Sequence, residues 1–332
     1  MAKKLISEIK TQLKEHKIFI IQIFIILFLF TFELPYTISK TGGIIDLSSR
    51  IKSENDYEES GSLNMAYVSE VPATIPNIII SYFNYNWDLE KKESKTETIE
   101  EMNFRGKMSL KESINSAFKV AYKQANMPYS EENKKVFVTY IYEDAITDLK
   151  VGDSIEEING QKISSKNNLL QIISSFKINE EIEIKVINNK KEYERKATII
   201  EYQNKKIIGI LTAEVSDLTL EPEITIEFKK SEYGASGGLM MSLAIYDNLT
   251  SEDITKGRKI AGTGQIDENG TVGEIDGIKY KLSGAVKEKA DIFLTPTGRN
   301  YEEAIEEKEK NNYDIIIVPI STFEEALTYL KK

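Results

Sequence analysis

Fifteen consecutive residues near the start of the chain, IFIIQIFIILFLFTF (18–32), carry no charge. As a helix rising 1.5 Å per residue they reach about 22 Å, short of a hydrocarbon core of about 30 Å. Leu34, Pro35 and Tyr36 are expected to lengthen that helix by a turn, with Tyr36 at the interface and Lys17 snorkelling. The reading is one transmembrane helix over residues 18–36. A cleaved signal peptide has an apolar region this short, but no A-x-A-like site follows Glu33; a buried core helix is the third reading. Lys3, Lys4, Lys10, Lys14 and Lys17 precede the span, whereas Lys40 and Arg50 beyond it are offset by Asp46 and Glu54. The positive-inside rule therefore expects a cytoplasmic tail (1–17), a single pass through the cell membrane, and an extracellular remainder.

The residue inventory removes whole classes of chemistry. Among 332 residues there is no cysteine, and the one histidine is His16, on the cytoplasmic side of the expected span. Cysteine nucleophiles, disulfides, zinc fingers, HExxH metalloprotease sites and a Ser-His-Asp triad in the body of the chain are excluded. Any hydrolytic centre must move protons with Lys, Asp, Glu or Tyr; no metal or other cofactor is expected. The net charge of −10 argues against nucleic acid as a partner. No G-x-x-x-x-G-K-[ST] string occurs, so ATP is not expected to bind.

Along the chain, 37–60 is polar and reads as a juxtamembrane linker. Residues 63–86 alternate short apolar and turn-like stretches around Pro72 and Pro76, consistent with strands. Over 109–126 a helix is predicted: Ser109 and Glu112 form a capping-box pair, Ile114, Ala117, Phe118, Ala121, Tyr122 and Ala125 make one stripe, and Pro128 follows. Then VFVTYIY (136–142), LKVGDSIEEINGQKI (149–163), a short helix carrying Leu169, Ile172, Ile173 and Phe176, and EIEIKVI (181–187) turning at Asn188-Asn189 describe a compact module.

The string LKVGDSIEEINGQKI resembles the L-x-x-GD-x-I-x-x-x-NG core of PDZ domains of the protease-associated bacterial kind. Such domains bind an extended peptide as an added strand. The resemblance implies a peptide groove along Val136, Phe137 and Val138, facing the 166–176 helix. A β-module that only spaces two parts of the protein is the plainer alternative.

Further on, SEYGASGGLMMSLAIYDNLT (231–250) runs from a polar turn through small residues into an apolar run of helical length, which puts Ser236 at a helix N-terminus. Unpaired N–H groups and the helix dipole there suit an oxyanion. Alone, G-x-S-x-G is weak, and its α/β-hydrolase reading needs a downstream histidine. Together with TGQI (263–266), DGIKYK (276–281) and IIIVPISTFEEALTYL (315–330), GASGG resembles the proteolytic domain of Lon-type serine proteases. The order of segments, and LPYTISKTGG after the apolar run, resemble the membrane-anchored PDZ and Lon-like peptidases of Gram-positive bacteria.

That resemblance implies an α/β Lon-type proteolytic domain in two parts, 61–130 and 203–332, interrupted by a PDZ-like β/α module at 131–202 and preceded by one transmembrane helix. It implies Ser236 as nucleophile, Lys281 as general base, and Thr263 hydrogen-bonded to the lysine nitrogen. Lys279 competes for the base; helical periodicity leaves the two lysines on opposite flanks of the apolar stripe, and the family frame selects Lys281. Ala235, Gly237 and Asp276 stand where the family usually has Pro, Ala and Gly. A free lysine, with pKa about 10.4, becomes a useful base only when burial lowers it. The expected function is an ATP-independent, membrane-anchored serine endopeptidase acting on extracellular peptides or unfolded proteins. The alternative is a non-catalytic, membrane-tethered peptide-binding adaptor.

Overall fold

The computed structural model describes residue 12 and residues 14–53, 60–91 and 97–332. Most of the expected cytoplasmic tail and residues 54–59 of the expected linker lie outside the described residues. Helices run over α1 (Lys17–Thr31), α2 (Ile75–Tyr82), α3 (Ile99–Gln124), α4 (Lys166–Ser175), α5 (Gly238–Leu249), α6 (Ile278–Lys287), α7 (Arg299–Asn311) and α8 (Phe323–Leu330). The chain divides into two compact units, with boundaries at Gly42/Gly43, Tyr67/Val68 and Lys95/Thr96.

In the first unit α1 ends at Thr31 after 15 residues, and its C-cap Phe32 has extended backbone (φ −76°, ψ 109°). The residue before a proline is pushed out of helical geometry, and Leu34, which precedes Pro35, donates its N–H to Ala73 O at 2.8 Å. Tyr36 then opens the strand Tyr36–Asp46. The residues expected to lengthen the helix thus bend at Pro35, where Tyr36 N donates to the Leu34 carbonyl at 2.7 Å, and lead into the strand. Among the described residues no helix is long and apolar enough to cross a membrane. The expected transmembrane helix over 18–36, and with it the single-pass localisation, is overturned; the fold class is mixed α/β, with no spanning helix among the described residues.

The expected linker is also largely strand. Tyr36 to Lys40 pair antiparallel with Lys91 to Trp87, and Lys40 Nζ sits 4.7 Å from the centre of the Trp87 ring. Pro76, expected among strands, lies instead in the first turn of α2, where Thr74 caps the helix. A first-turn proline gives up no helical hydrogen bond there.

The second unit holds two cores. One is an α/β layer in which Leu63 and Ile292 flank Ile260 in parallel register, and Ile292 pairs with Ile316. Alternation along the strands sends Leu63, Ile260 and Leu294 to one face, packed with α3, α5 and α8, and Ala66, Ala261 and Phe293 to the other, against Ile278, Leu282 and Ala304 of α6 and α7. Burial on both faces explains why α5 has no polar stripe: Leu239, Met240, Met241, Leu243, Ala244 and Ile245 are all buried.

Helix α3 starts ten residues before the predicted Ser109. A second capping box, Thr98 with Glu101, opens it, and Ser109 falls inside. Glu112, free of any capping duty, accepts the Glu214 N–H at 3.0 Å and the Lys166 ammonium at 3.4 Å.

The other core belongs to a sheet ordered Ile210–Leu220, Tyr129–Ile141, Ser154–Ile158, Glu181–Asn188, Lys191–Thr198. Val136, Val138, Ile155, Ile158, Ile182, Ile184 and Val186 pack with Leu169, Ile172 and Ile173 of α4. The sheet reaches past the expected boundary at 202, since Ile210–Leu220 pairs along the length of Tyr129–Ile141. Asn159 and Gly160 (φ 45° and 77°) form a two-residue turn joining Ile158 to Gln161. The hairpin turn of Glu181–Asn188 is centred on Asn189 and Lys190 (φ 50° and 64°), one residue later than predicted, because Asn188 pairs with Lys191. Asp153 of the GD pair is fully buried; it accepts the Lys150 N–H and the Asn188 amide and pairs with Arg195 at 3.2 Å.

Candidate active site

Ser236 precedes α5 by two residues, in a turn fixed from two sides. From α3, the Gly106 carbonyl accepts the Gly234 N–H at 3.0 Å, and Ser113 Oγ donates to the Ala235 carbonyl at 3.1 Å. Gly234 has φ +101°, a conformation natural only to glycine. From the 263–264 segment, Thr263 Oγ1 donates to the Ser236 carbonyl at 2.9 Å. Gly264 N donates to that same oxygen at 2.7 Å, and its own carbonyl accepts the Leu239 N–H at 3.1 Å. The N–H groups of Ser236 and Gly237 donate to no acceptor among the described residues.

Thr263 is fully buried, and its hydroxyl proton is directed to the Ser236 carbonyl. That differs from the expected bond to the lysine nitrogen: the Gly262–Thr263 segment runs beside the turn that carries Ser236, and the hydroxyl shares the Ser236 carbonyl oxygen with the Gly264 N–H. At Gly237 a Cβ would overlap Met65 Sδ, which accounts for glycine where alanine is usual in the resembling family.

Of the two candidate lysines, Lys281 is the buried one, 3 % exposed, on the α6 face that carries Ile278 and Leu282. Lys279 is half-buried, its Nζ 5.5 Å from the Tyr280 ring centre. Burial pulls the Lys281 pKa down to about 8, opposed by the charge of Asp276. Asp276 itself is exposed and pairs with Arg299 at 3.3 Å. The start of α6 is set by Gly277 in the left-handed region (φ 77°) and by buried Asn300. Its amide accepts the Ile275 N–H and donates to the Ile275 carbonyl, both at 2.8 Å. Neither Ser113 nor Asn300 stands out in the sequence, since each bonds to backbone that only the tertiary fold brings near.

A cavity of about 350 Å³ borders the turn that carries Ser236, lined by Ser113, Ser116, Lys119, Ala235, Gln265 and Gly273 among others. Its wall includes Lys166 and Glu214 from the second sheet's module. Among the described residues no group of His, Cys, Asp and Glu could hold a metal ion.

The expected groove at Val136, Phe137 and Val138 does not match the strand pairing. Val138, Phe137 and Val136 pair with Thr212, Ala213 and Glu214 on one side, and Val136 and Phe137 with Ile155 and Ser154 on the other. With both edges taken, no peptide can add as a strand there, and the Val136 and Val138 side chains are core. The edges of the sheet are Ile210–Leu220, beside Tyr129–Ile141, and Lys191–Thr198 at the far side. At Glu214 and Ser216 the first of these edges is covered by α3, through Glu112 and through Asn115 Nδ2, which donates to the Ser216 carbonyl at 2.9 Å.

No protein-family model matches the chain. Over 100 residues, 30 % of its length, the chain is 34 % identical to the Lon protease of Neorickettsia sennetsu, of which it spans 12 %. Among solved structures, the PDZ domain of an SdrC-like protein of Listeria monocytogenes is 23 % identical, covering 23 % of this chain and 85 % of that one at TM-score 0.21. The PDZ domain of an SdrC-like protein of Listeria innocua is 30 % identical, covering 24 % and 92 % at TM-score 0.22. The chain is thus similar in part to a Lon protease, and matches about an eighth of that protein's length.

Proposed function

We propose that this protein is a serine endopeptidase that cleaves peptides or unfolded proteins with a Ser236/Lys281 dyad and without ATP. The observation that carries the reading is Lys281: a buried lysine whose pKa is drawn down to about 8, in a chain with no cysteine and His16 as its one histidine. A proton acceptor working near neutrality is what a serine nucleophile lacks by itself. The partial similarity to a Lon protease supports the same reading.

In this mechanism the neutral Lys281 amine accepts the Ser236 hydroxyl proton as Oγ bonds to the scissile carbonyl carbon. The oxyanion is met by the free Ser236 and Gly237 N–H groups at the start of α5. Collapse breaks the C–N bond, and the Lys281 ammonium returns its proton to the departing amine. Water, deprotonated by the same lysine, then hydrolyses the ester. Thr263 holds the Ser236 carbonyl and so fixes the turn. Residues 61–130 and the part of the chain after the Ile210–Leu220 strand supply the catalytic part, and the module that begins at 131 extends through that strand. The absence of a P-loop string limits substrates to chains that need no ATP-driven unfolding.

A fluorophosphonate probe tests the reading. Labelling of the wild-type protein that is lost in both Ser236→Ala and Lys281→Ala, with matching loss of cleavage of an unfolded protein and no stimulation by ATP, is the expected result. Absence of labelling and cleavage in the folded wild-type protein leaves the peptide-binding adaptor as the function.

A further inference from the structure

Two peptide units flank the nucleophile, and each has its carbonyl held by a side-chain hydroxyl. The unit joining Ala235 to Ser236 presents its oxygen to Ser113 Oγ at 3.1 Å; the unit joining Ser236 to Gly237 presents its oxygen to Thr263 Oγ1 at 2.9 Å. In a trans peptide the C=O and N–H point in opposite directions. Fixing each oxygen therefore aims the N–H of Ser236 and of Gly237 to the opposite side, and neither N–H donates to a described acceptor.

We propose that Ser113 is a positioning residue that sets the orientation of the Ala235–Ser236 peptide, and hence of the Ser236 N–H that meets the oxyanion. This rests on the reading of Ser236 as nucleophile. A serine inside a helix ordinarily returns its hydroxyl to the carbonyl one turn back. Ser113, 4 % exposed on α3, directs it across to another element instead. The glycine at 238 makes the approach feasible: a Cβ there would lie 2.9 Å from Ser113 Oγ. Gly106, two turns earlier on the same helix, receives the Gly234 N–H, so α3 holds two consecutive residues, Gly234 and Ala235, at the entry to the turn. A hydroxyl donating to a carbonyl also polarises the N–H of that peptide, strengthening it as a donor.

The test is Ser113→Ala in the full chain. The Ala235 carbonyl also accepts the Gly238 N–H at 3.3 Å, so the substitution loosens the peptide without freeing it. Removing a direct oxyanion donor costs roughly 100- to 1000-fold in kcat, and loosening one peptide should cost roughly tenfold. The expected result is that loss in kcat with KM within twofold, an equal loss in affinity for a peptide boronate that forms a tetrahedral adduct on Ser236, and an unmoved pH dependence, because Lys281 is untouched. Ser113→Cys, which keeps a weak donor, should recover part of both losses. Unchanged kcat and boronate affinity in a folded variant overturn the proposal, as does a loss confined to KM. If wild-type protein shows no Ser236-dependent labelling, the peptidase reading fails separately. Crystal structures of wild type and Ser113→Ala then decide the positioning claim: a rotated 235–236 peptide supports it, and an identical orientation overturns it.

Discussion

Thr263 Oγ1 lies 2.9 Å from the Ser236 carbonyl oxygen, which also accepts the Gly264 N–H at 2.7 Å. Ser236, the proposed nucleophile, is therefore tied to the 263–264 segment through its own backbone. Thr263→Val keeps the shape and removes the hydroxyl donor while Gly264 N remains. We expect kcat to drop several-fold with KM unchanged, and stability to fall by about 1 kcal/mol. Thr263→Ser should restore both. Steady-state kinetics and urea denaturation of the pair check this; a Val variant with wild-type kcat contradicts it.

Cleavage should rise with pH through about 8 as Lys281 loses its proton. The stability sign follows from the same shift. The folded-state pKa lies below the unfolded value of 10.5, so below about 8 the unfolded chain holds a charge that the buried site disfavours. The resulting penalty is fully present at low pH, fades between about 8 and 10.5, and amounts to about 3 kcal/mol at most. Lys281→Met should be inactive yet more stable than wild type at pH 7, with the advantage vanishing near pH 11. Lys279→Ala should retain most activity. Denaturation curves at the two pH values settle the sign; a destabilised Lys281→Met at pH 7 contradicts it.

Gly237 and Met65 form a complementary pair, the thioether filling the volume a side chain at 237 would need. Gly237→Ala should cost about 1–3 kcal/mol and lower activity by displacing the turn. Adding Met65→Ala should recover much of that loss, giving a double-mutant coupling well above zero. Additive effects of the two substitutions would mean that the thioether simply moves aside.

Asp153, fully buried, is shared by Arg195, Asn188 and the Lys150 N–H. Asp153→Ala strands the Arg195 charge and should destabilise the protein by about 3–5 kcal/mol. Asp153→Asn, which keeps the shape and one acceptor oxygen, should lose less. Thermal melts of both variants provide the check.

What the sequence makes readable here follows the range of the forces involved. The Asn159-Gly160 turn, the alternation in EIEIKVI and the apolar run behind Ser236 are local, and each forms the element its pattern implies. Ser109 with Glu112 and Thr98 with Glu101 are equally good capping strings; only packing of the 99–108 segment on its neighbours selects the earlier one. The apolar run at 18–32 speaks for a helix and is silent on where the chain goes next, which Pro35 and the pairing of Leu34 with Ala73 decide. Val136–Val138 has strand texture whichever neighbours it takes, so pairing on both of its edges is invisible locally. Ser113 and Asn300 are ordinary polar residues until the fold sets a distant carbonyl beside each.

The covered edge of Ile210–Leu220 has a consequence for how copies of this protein meet. Bare strand edges invite the same edge of another molecule. Here the Glu214 N–H and Ser216 carbonyl are already satisfied by Glu112 and Asn115, side chains tethered to the same polypeptide and thus present at far higher effective concentration than any second copy. Intermolecular zipping along this edge must break those bonds first. The docking of α3 therefore gives the sheet a built-in resistance to aggregation over its Glu214–Ser216 stretch.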